Sequence, residues 1–276
     1  MSAPAVAVLH APGTNRDGEA SLALRAAGAE PTIVLLGELA AGGDSLDRYD
    51  GVLVPGGFSY GDALGAGTRL ALEAGEALRA YAADGERPVL GICNGFQALV
   101  RAGLLGADEP AGDATGGPAG PGGADEPAAG GRRWGTLAAN ANGRFECRWV
   151  TLEPQPGCTA PWVASIGHLV ACPVAHGEGR VALAEGVGPD DVAADGRVAF
   201  RYVAADGSPA GGAYPANPNG SAGDIAGLAN AAGNVVGLMP HPEDHVLAEQ
   251  CAFGARVRGR LGLTLFERFV DRARRH

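Results

Sequence analysis

The chain has 276 residues, 46% of them hydrophobic, and a formal charge of -10 from 21 basic and 31 acidic side chains, every basic one an arginine. Without lysine there is no Schiff-base catalysis and no P-loop lysine to reach nucleotide phosphates. The acidity argues against any partner held by phosphate neutralisation, nucleic acid above all.

From the N-terminus, Ala5 to His10 reads as a buried strand, Gly18 to Ala27 as a helix and Thr32 to Leu36 as a second strand. A third strand, Gly51 to Val54, runs into Pro55-Gly56-Gly57. Ala66 to Ala83 is predicted helical, because Leu70, Ala74, Ala77, Leu78 and Tyr81 recur at three- and four-residue spacing and make one apolar face. Pro88 opens a fourth strand, Val89 to Ile92, which stops at Cys93. Strands alternating with helices predict an α/β fold: a Rossmann-like or flavodoxin-like, mostly parallel sheet flanked by helices.

Gly106 to Arg133 is built almost wholly of Gly, Ala, Pro, Asp and Glu and contains Gly-Ala-Asp-Glu-Pro-Ala twice, from residues 106 and 123. Such a composition buries no core, so it is expected to be a disordered insertion at 106–133 within a single domain spanning 1–276. A smaller Gly- and Ala-rich stretch covers Ala204 to Ala213. Added β-type segments are Phe145 to Leu152, His168 to Pro173 and Val198 to Val203, with a hairpin of Ile225 to Ala229 and Val235 to Met239 across Gly233-Asn234. A closing helix buries Leu265, Phe266, Phe269, Val270 and Ala273.

No apolar run reaches the roughly 18 residues of a membrane span, and no basic region precedes the first strand as in a signal peptide, so a cytoplasmic location is expected. The five cysteines, Cys93, Cys147, Cys158, Cys172 and Cys251, are odd in number and include no C-x-x-C pair. Neither a disulfide framework nor a metal site is expected from them.

Three local patterns carry chemistry. In Gly91-Ile92-Cys93-Asn94-Gly95-Phe96-Gln97 a strand ends at a cysteine between glycines and a helix follows at once, the nucleophile-elbow pattern with Cys for Ser. The competing reading is a structural cysteine that happens to lie between glycines. In Pro240-His241-Pro242-Glu243 the prolines hold the chain extended, so His241 and Glu243 project to one side and supply a base with its orienting carboxylate. A surface ion pair is the alternative. Third, the Pro55-Gly56-Gly57 turn lies on the sheet edge where open α/β sheets bind ligands, and a glycine amide there with the Asn94 amide would make an oxyanion hole.

In this order and spacing, Pro-Gly-Gly, G-x-C-N-G-F-Q and His-Pro-Glu resemble the class I, triad-type glutamine amidotransferases. Pro12 to Asn15, Gly57 to Asp62, Arg144 to Val150, His176 to Arg180, Phe200 to Val203 and Ala216 to Ser221 are similar to one branch, the glutaminase subunits of a purine-biosynthetic synthase. The resemblance implies Cys93 as nucleophile, His241 as base and acid, Glu243 as orienting carboxylate, and Gly57 and Asn94 as oxyanion amides. It places Gln97, Gly56 and His176 by the glutamine, although a structural role for His176 stays open. It also implies ammonia transfer to a synthetase subunit that uses ATP and Mg, helped by a small third subunit, with no cofactor on this chain. Asp244 departs from the branch, which has arginine there. A stand-alone γ-glutamyl cysteine hydrolase and a non-catalytic regulatory module of the same fold are the alternatives.

Overall fold

The computed structural model describes residues 2–108, 132–250 and 262–275. In its first part buried strands alternate with helices: β1 (Ala5–His10), α1 (Asp17–Ala26), β2 (Glu30–Leu35), α2 (Leu36–Ala40), β3 (Gly51–Val54), α3 (Thr68–Ala82), β4 (Val89–Ile92) and α4 (Asn94–Arg101). There follow β5 (Gly135–Ala138), β6 (Glu146–Pro154), α5 (Pro161–Ala164), β7 (Val170–His176), β8 (Arg180–Leu183), α6 (Pro189–Ala194), β9 (Val198–Val203), β10 (Ile225–Ala229), β11 (Val235–Leu238) and α7 (Leu263–Ala273).

Among the described residues, nine strands form one sheet in the order β2-β1-β3-β4-β11-β10-β9-β6-β7. The pairings from β2 to β11 are parallel and those from β11 to β7 antiparallel. The expected mostly parallel core with added antiparallel strands is therefore the fold. β3 and β4 are fully buried runs, as strands covered by helices on both faces require. α3 covers one face through Leu70, Ala74, Leu78 and Tyr81. α7 covers the other: its Phe269 ring lies 3.0 Å from where a Cβ on Gly51 would sit and packs edge-on against Trp162.

Several bounds differ from the sequence reading. Leu36 starts α2 instead of ending β2, and β7 runs from Val170 to His176 instead of stopping at Pro173. Proline interrupts a central strand but is tolerated at a sheet edge, and β7 is the edge strand. The small antiparallel sheet β5-β8 was not anticipated, because its Gly- and Ala-rich strands show no alternating pattern.

The ends of the predicted insertion belong to the folded frame. Ala107 bridges Arg133, the Asp108 N–H donates to the Arg132 carbonyl, and Trp134 and Gly135 both donate to the Gly106 carbonyl. Residues 109–131, with the second hexapeptide and half of the first, lie outside the described residues, as does Cys251.

Candidate active site

Adjacent parallel strands β3, β4 and β11 end together: Val54 pairs with Gly91, and Leu238 with Ile92. Their carboxyl ends therefore deliver Gly56, Cys93 and His241 to one edge, where open α/β sheets hold their ligands. Cys93 has φ 50° and ψ −105°, a left-handed backbone rare for a residue with a side chain. The strain comes from turning straight from β4 into α4. It is possible only between glycines, since a Cβ on Gly91 would lie 2.5 Å from Leu99 and one on Gly95 would lie 1.9 Å from the Val54 carbonyl oxygen. The elbow therefore sets the sulfur at the start of α4.

His241 Nδ1 is 2.7 Å from Glu243 Oε1 and both side chains are buried; Cys93 lies next to the ring across Gly56, its thiol directed to the Ala175 carbonyl at 3.7 Å. A carboxylate only accepts, so Nδ1 carries hydrogen and Nε2 is the nitrogen left for proton exchange. Burial opposes a charge on His241, but the Glu243 carboxylate and the sulfur outweigh it and hold the imidazole well above its usual range. A protonated imidazole is the partner that a sulfur anion requires. Gly56 makes the arrangement sterically possible, because a Cβ there would sit 2.7 Å from His241 Cε1 and 3.4 Å from Cys93 Cβ.

The Gly57 backbone has φ 144°, and a Cβ on it would meet the Asn15 nitrogen at 2.8 Å. Among the described residues, neither the Gly57 nor the Asn94 N–H has a hydrogen-bond acceptor. The Asn94 side chain fixes the turn: its Oδ1 accepts from the Ser59 hydroxyl and its Nδ2 donates to Asp62 and Gln97.

Cys93 opens onto a cleft of about 150 Å³ lined by Gly57, Asp62, Gln97, Phe145, His176 and Glu178, among others. Gln97 faces it, with its amide already engaged by Asn94 and, through Nε2, by the Glu178 carbonyl at 2.6 Å. Gly56 is absent from the cleft lining and lies beneath His241. His176 is a cleft wall whose Nδ1 is 3.1 Å from Asn140 Oδ1. That oxygen also accepts from Gly179 N–H while the Asn140 Nδ2 donates to the Arg144 and His176 carbonyls, which fixes the amide's orientation. His176 Nδ1 is then the hydrogen-bearing nitrogen, and Nε2 is a buried acceptor without a partner among the described residues. Burial, with the charge on His241, depresses its pKa to about 4. Asp62 is raised by burial and by the Glu178 carboxylate.

Asp244 finds its counter-charge in Arg16, before α1, with Nη1 to Oδ1 at 3.1 Å. No local pattern points to Asn140, whose role rests on contacts with residues far along the chain. Asp62 and Glu178 stood inside quoted motifs, yet nothing local tied them to the cleft. Among the described residues no cluster of His, Cys, Asp or Glu is arranged for a metal, and no helix is long and apolar enough to cross a membrane.

Comparison with known proteins gives a concordant picture. The family of CobB/CobQ-like glutamine amidotransferase domains matches residues 3–270. The phosphoribosylformylglycinamidine synthase subunit PurQ of Treponema denticola is 43% identical over 254 residues, covering 90% of each chain. The subunit of the same name from Dehalococcoides mccartyi is 38% identical over 282 residues, covering 99% of each. Among solved structures, a chain of PurLQS from Thermotoga maritima superposes with a TM-score of 0.68 at 31% identity, over 98% of both chains.

Proposed function

The chain belongs to the family of CobB/CobQ-like glutamine amidotransferase domains, and on that footing we propose that it is the glutaminase subunit of a phosphoribosylformylglycinamidine synthase. The observation that carries the chemistry is the His241 ring, paired with the Glu243 carboxylate and set beside Cys93, whose side chain lines the cleft.

Glutamine enters with its side-chain amide towards Cys93, and the sulfur attacks the carbonyl carbon. The Gly57 and Asn94 N–H groups receive the oxyanion, a contribution of about 3 kcal/mol per donor in comparable sites. His241 gives its proton to the departing nitrogen, so ammonia leaves and a glutamyl thioester remains. His241, now neutral, takes a proton from water, whose oxygen attacks the thioester and releases glutamate. Glu243 keeps the ring in one tautomer throughout. Gln97 and His176 shape the cleft around the substrate.

As a subunit of a multi-subunit enzyme, the chain passes ammonia to a synthetase subunit, which spends ATP with magnesium to convert formylglycinamide ribonucleotide into the amidine; a small third subunit completes the assembly. A cytoplasmic location suits that role. Replacing Cys93 by serine tests the reading in the assembled complex: glutamine-dependent synthesis should vanish while synthesis from added ammonia persists. Equal loss of both would overturn it. Full glutamate release by the chain alone, unchanged by the synthetase, would instead favour a free-standing hydrolase.

A further inference from the structure

A second cavity, of about 520 Å³, opens beside the catalytic cleft and shares no lining residue with it. Asn142, Arg144, Glu146, Tyr214, Asn217 and Asn219 are among the residues around it. The two spaces lie on opposite sides of one short stretch: Phe145 faces the cleft, while Arg144 and Glu146 face the second cavity, as neighbours in an extended chain do. The segments around 144 and 217 stood out in the sequence but have no part in the proton and acyl transfers. Here they converge.

The charge of the cavity runs against that of the molecule. In a chain of formal charge -10, the exposed Arg144 guanidinium has no carboxylate partner among the described residues. Arg180, whose Cδ lies 3.7 Å from where a Cβ on Gly220 would sit, gives its Nε to the Ala139 carbonyl and likewise has no carboxylate partner among them. Arg148 lies 4.4 Å over the exposed Tyr214 ring, with Glu146, which is buried, as its counter-ion. One uncompensated guanidinium group in the lining, Arg144, a second beside it behind Gly220, Arg180, and the Tyr214 edge suit carboxylates, which arginine grips with two parallel hydrogen bonds.

The floor of this cavity is wired to the catalytic wall. Asn140 joins the Arg144 carbonyl to the His176 carbonyl and ring, and the Asn219 Nδ2 donates to the Gly179 carbonyl at 2.7 Å. The Ser221 hydroxyl accepts from Val181 N–H. The same turn, on its other side, holds Gln97 through the Glu178 carbonyl and faces the sulfur through the Ala175 carbonyl. Asn140, His176, Asn217, Asn219 and Ser221 are all buried, and so dense a polar network is rigid only when every member keeps its partner.

We propose that the second cavity is the seat of a carboxylate-bearing segment of the synthetase partner, gripped by Arg144 and Arg180, and that its occupation is passed through the Asn140 network to the wall of the catalytic cleft. The proposal rests on the subunit reading above. Its test uses the full chain carrying Arg144→Glu or Arg180→Glu, with Arg25→Glu, on the exposed end of α1, as a control of equal charge change. Affinity for the cognate synthetase and glutamate release with and without it are measured for each at two salt concentrations. Both cavity variants should lose at least tenfold in affinity and most of the stimulation, with a weaker salt dependence, while unassisted release and the Arg25→Glu control stay at wild-type levels. Wild-type binding by both cavity variants would overturn the docking. Binding that depends on these arginines yet leaves glutamate release unstimulated in the wild type would overturn the transmission. Inorganic phosphate is the third arm: if it alone stimulates the isolated chain, and Arg144→Glu abolishes that effect, the cavity serves a small anion and the proposal fails. A wild-type chain that neither binds the synthetase nor gains activity from it removes the subunit reading itself, and the docking with it.

Discussion

The His241 ring occupies the space that a side chain on Gly56 would fill: a Cβ there would lie 2.7 Å from Cε1. Even a methyl group at residue 56 must push the imidazole from its place beside sulfur and carboxylate. Gly56→Ala is therefore expected to lower kcat for glutamine hydrolysis by about 100-fold, the usual cost of a misplacement near 1 Å. Alkylation of Cys93 by a glutamine-mimicking electrophile should still occur, since the cleft itself is untouched. Steady-state kinetics with a labelling assay check both; wild-type kcat would refute the steric argument.

Gln97 offers a different kind of lesion. Its Nε2 donates to the Glu178 carbonyl at 2.6 Å, and Gln97→Glu replaces that donor by an oxygen facing an oxygen. The turn carrying Glu178 should withdraw and the cleft widen. At pH 8 the KM for glutamine is expected to rise roughly tenfold with a smaller change in kcat, as loss of uniform binding predicts.

His176 supplies a stability signature. Its pKa falls from 6.5 unfolded to about 4 folded, so between these values the unfolded chain binds more protons. The stability contributed by the neutral, buried ring is complete above pH 6.5 and is lost as pH drops towards 4. The whole shift is worth on the order of 3 kcal/mol. Urea unfolding from pH 7 to pH 4 should show a steeper loss for wild type than for His176→Gln; parallel curves would contradict the assignment.

The Arg16–Asp244 pair joins residues on either side of the triad's supporting turn, at 3.1 Å. Both groups keep some solvent contact, so a coupling energy of about 0.5–1 kcal/mol is expected from a double-mutant cycle with Arg16→Gln and Asp244→Asn. Because Asp244 sits next to Glu243, Arg16→Gln alone should lower kcat severalfold, and the charge-swapped double variant Arg16→Asp with Asp244→Arg should recover most of it. No recovery would mean that the turn is held by packing alone.

What the sequence disclosed was whatever short-range geometry demands. The glycines flanking Cys93 are legible because the backbone there admits few other residues, whereas the extended backbone expected across Pro240 to Glu243 is not what forms: Pro242 opens a 3-10 turn to His245, and Glu243 reaches the His241 ring from within that turn. The parallel strands are equally plain, being short apolar runs between helices. Arg16 and Asp244 stand 228 residues apart, and Asn140 meets His176 across 36, so no local pattern could reveal either contact. β7 was cut short at Pro173 because proline ends a strand in any position except the edge, and which strand lies at the edge is a property of the whole sheet. The β5-β8 pair was invisible for want of side chains that alternate.

The clasp between Ala107 and Arg133 has a practical consequence. Whatever the chain does between its two sides, it departs from the frame and returns within one hydrogen bond's reach. Closing a loop of twice the length costs only about 0.6 kcal/mol more, so this doorway tolerates rewriting. A two-residue turn, an affinity tag or a fluorescent domain could be spliced there, beyond the C-terminal end of α4 and so past the elbow at its start, turning the frame into a carrier with a built-in grafting port.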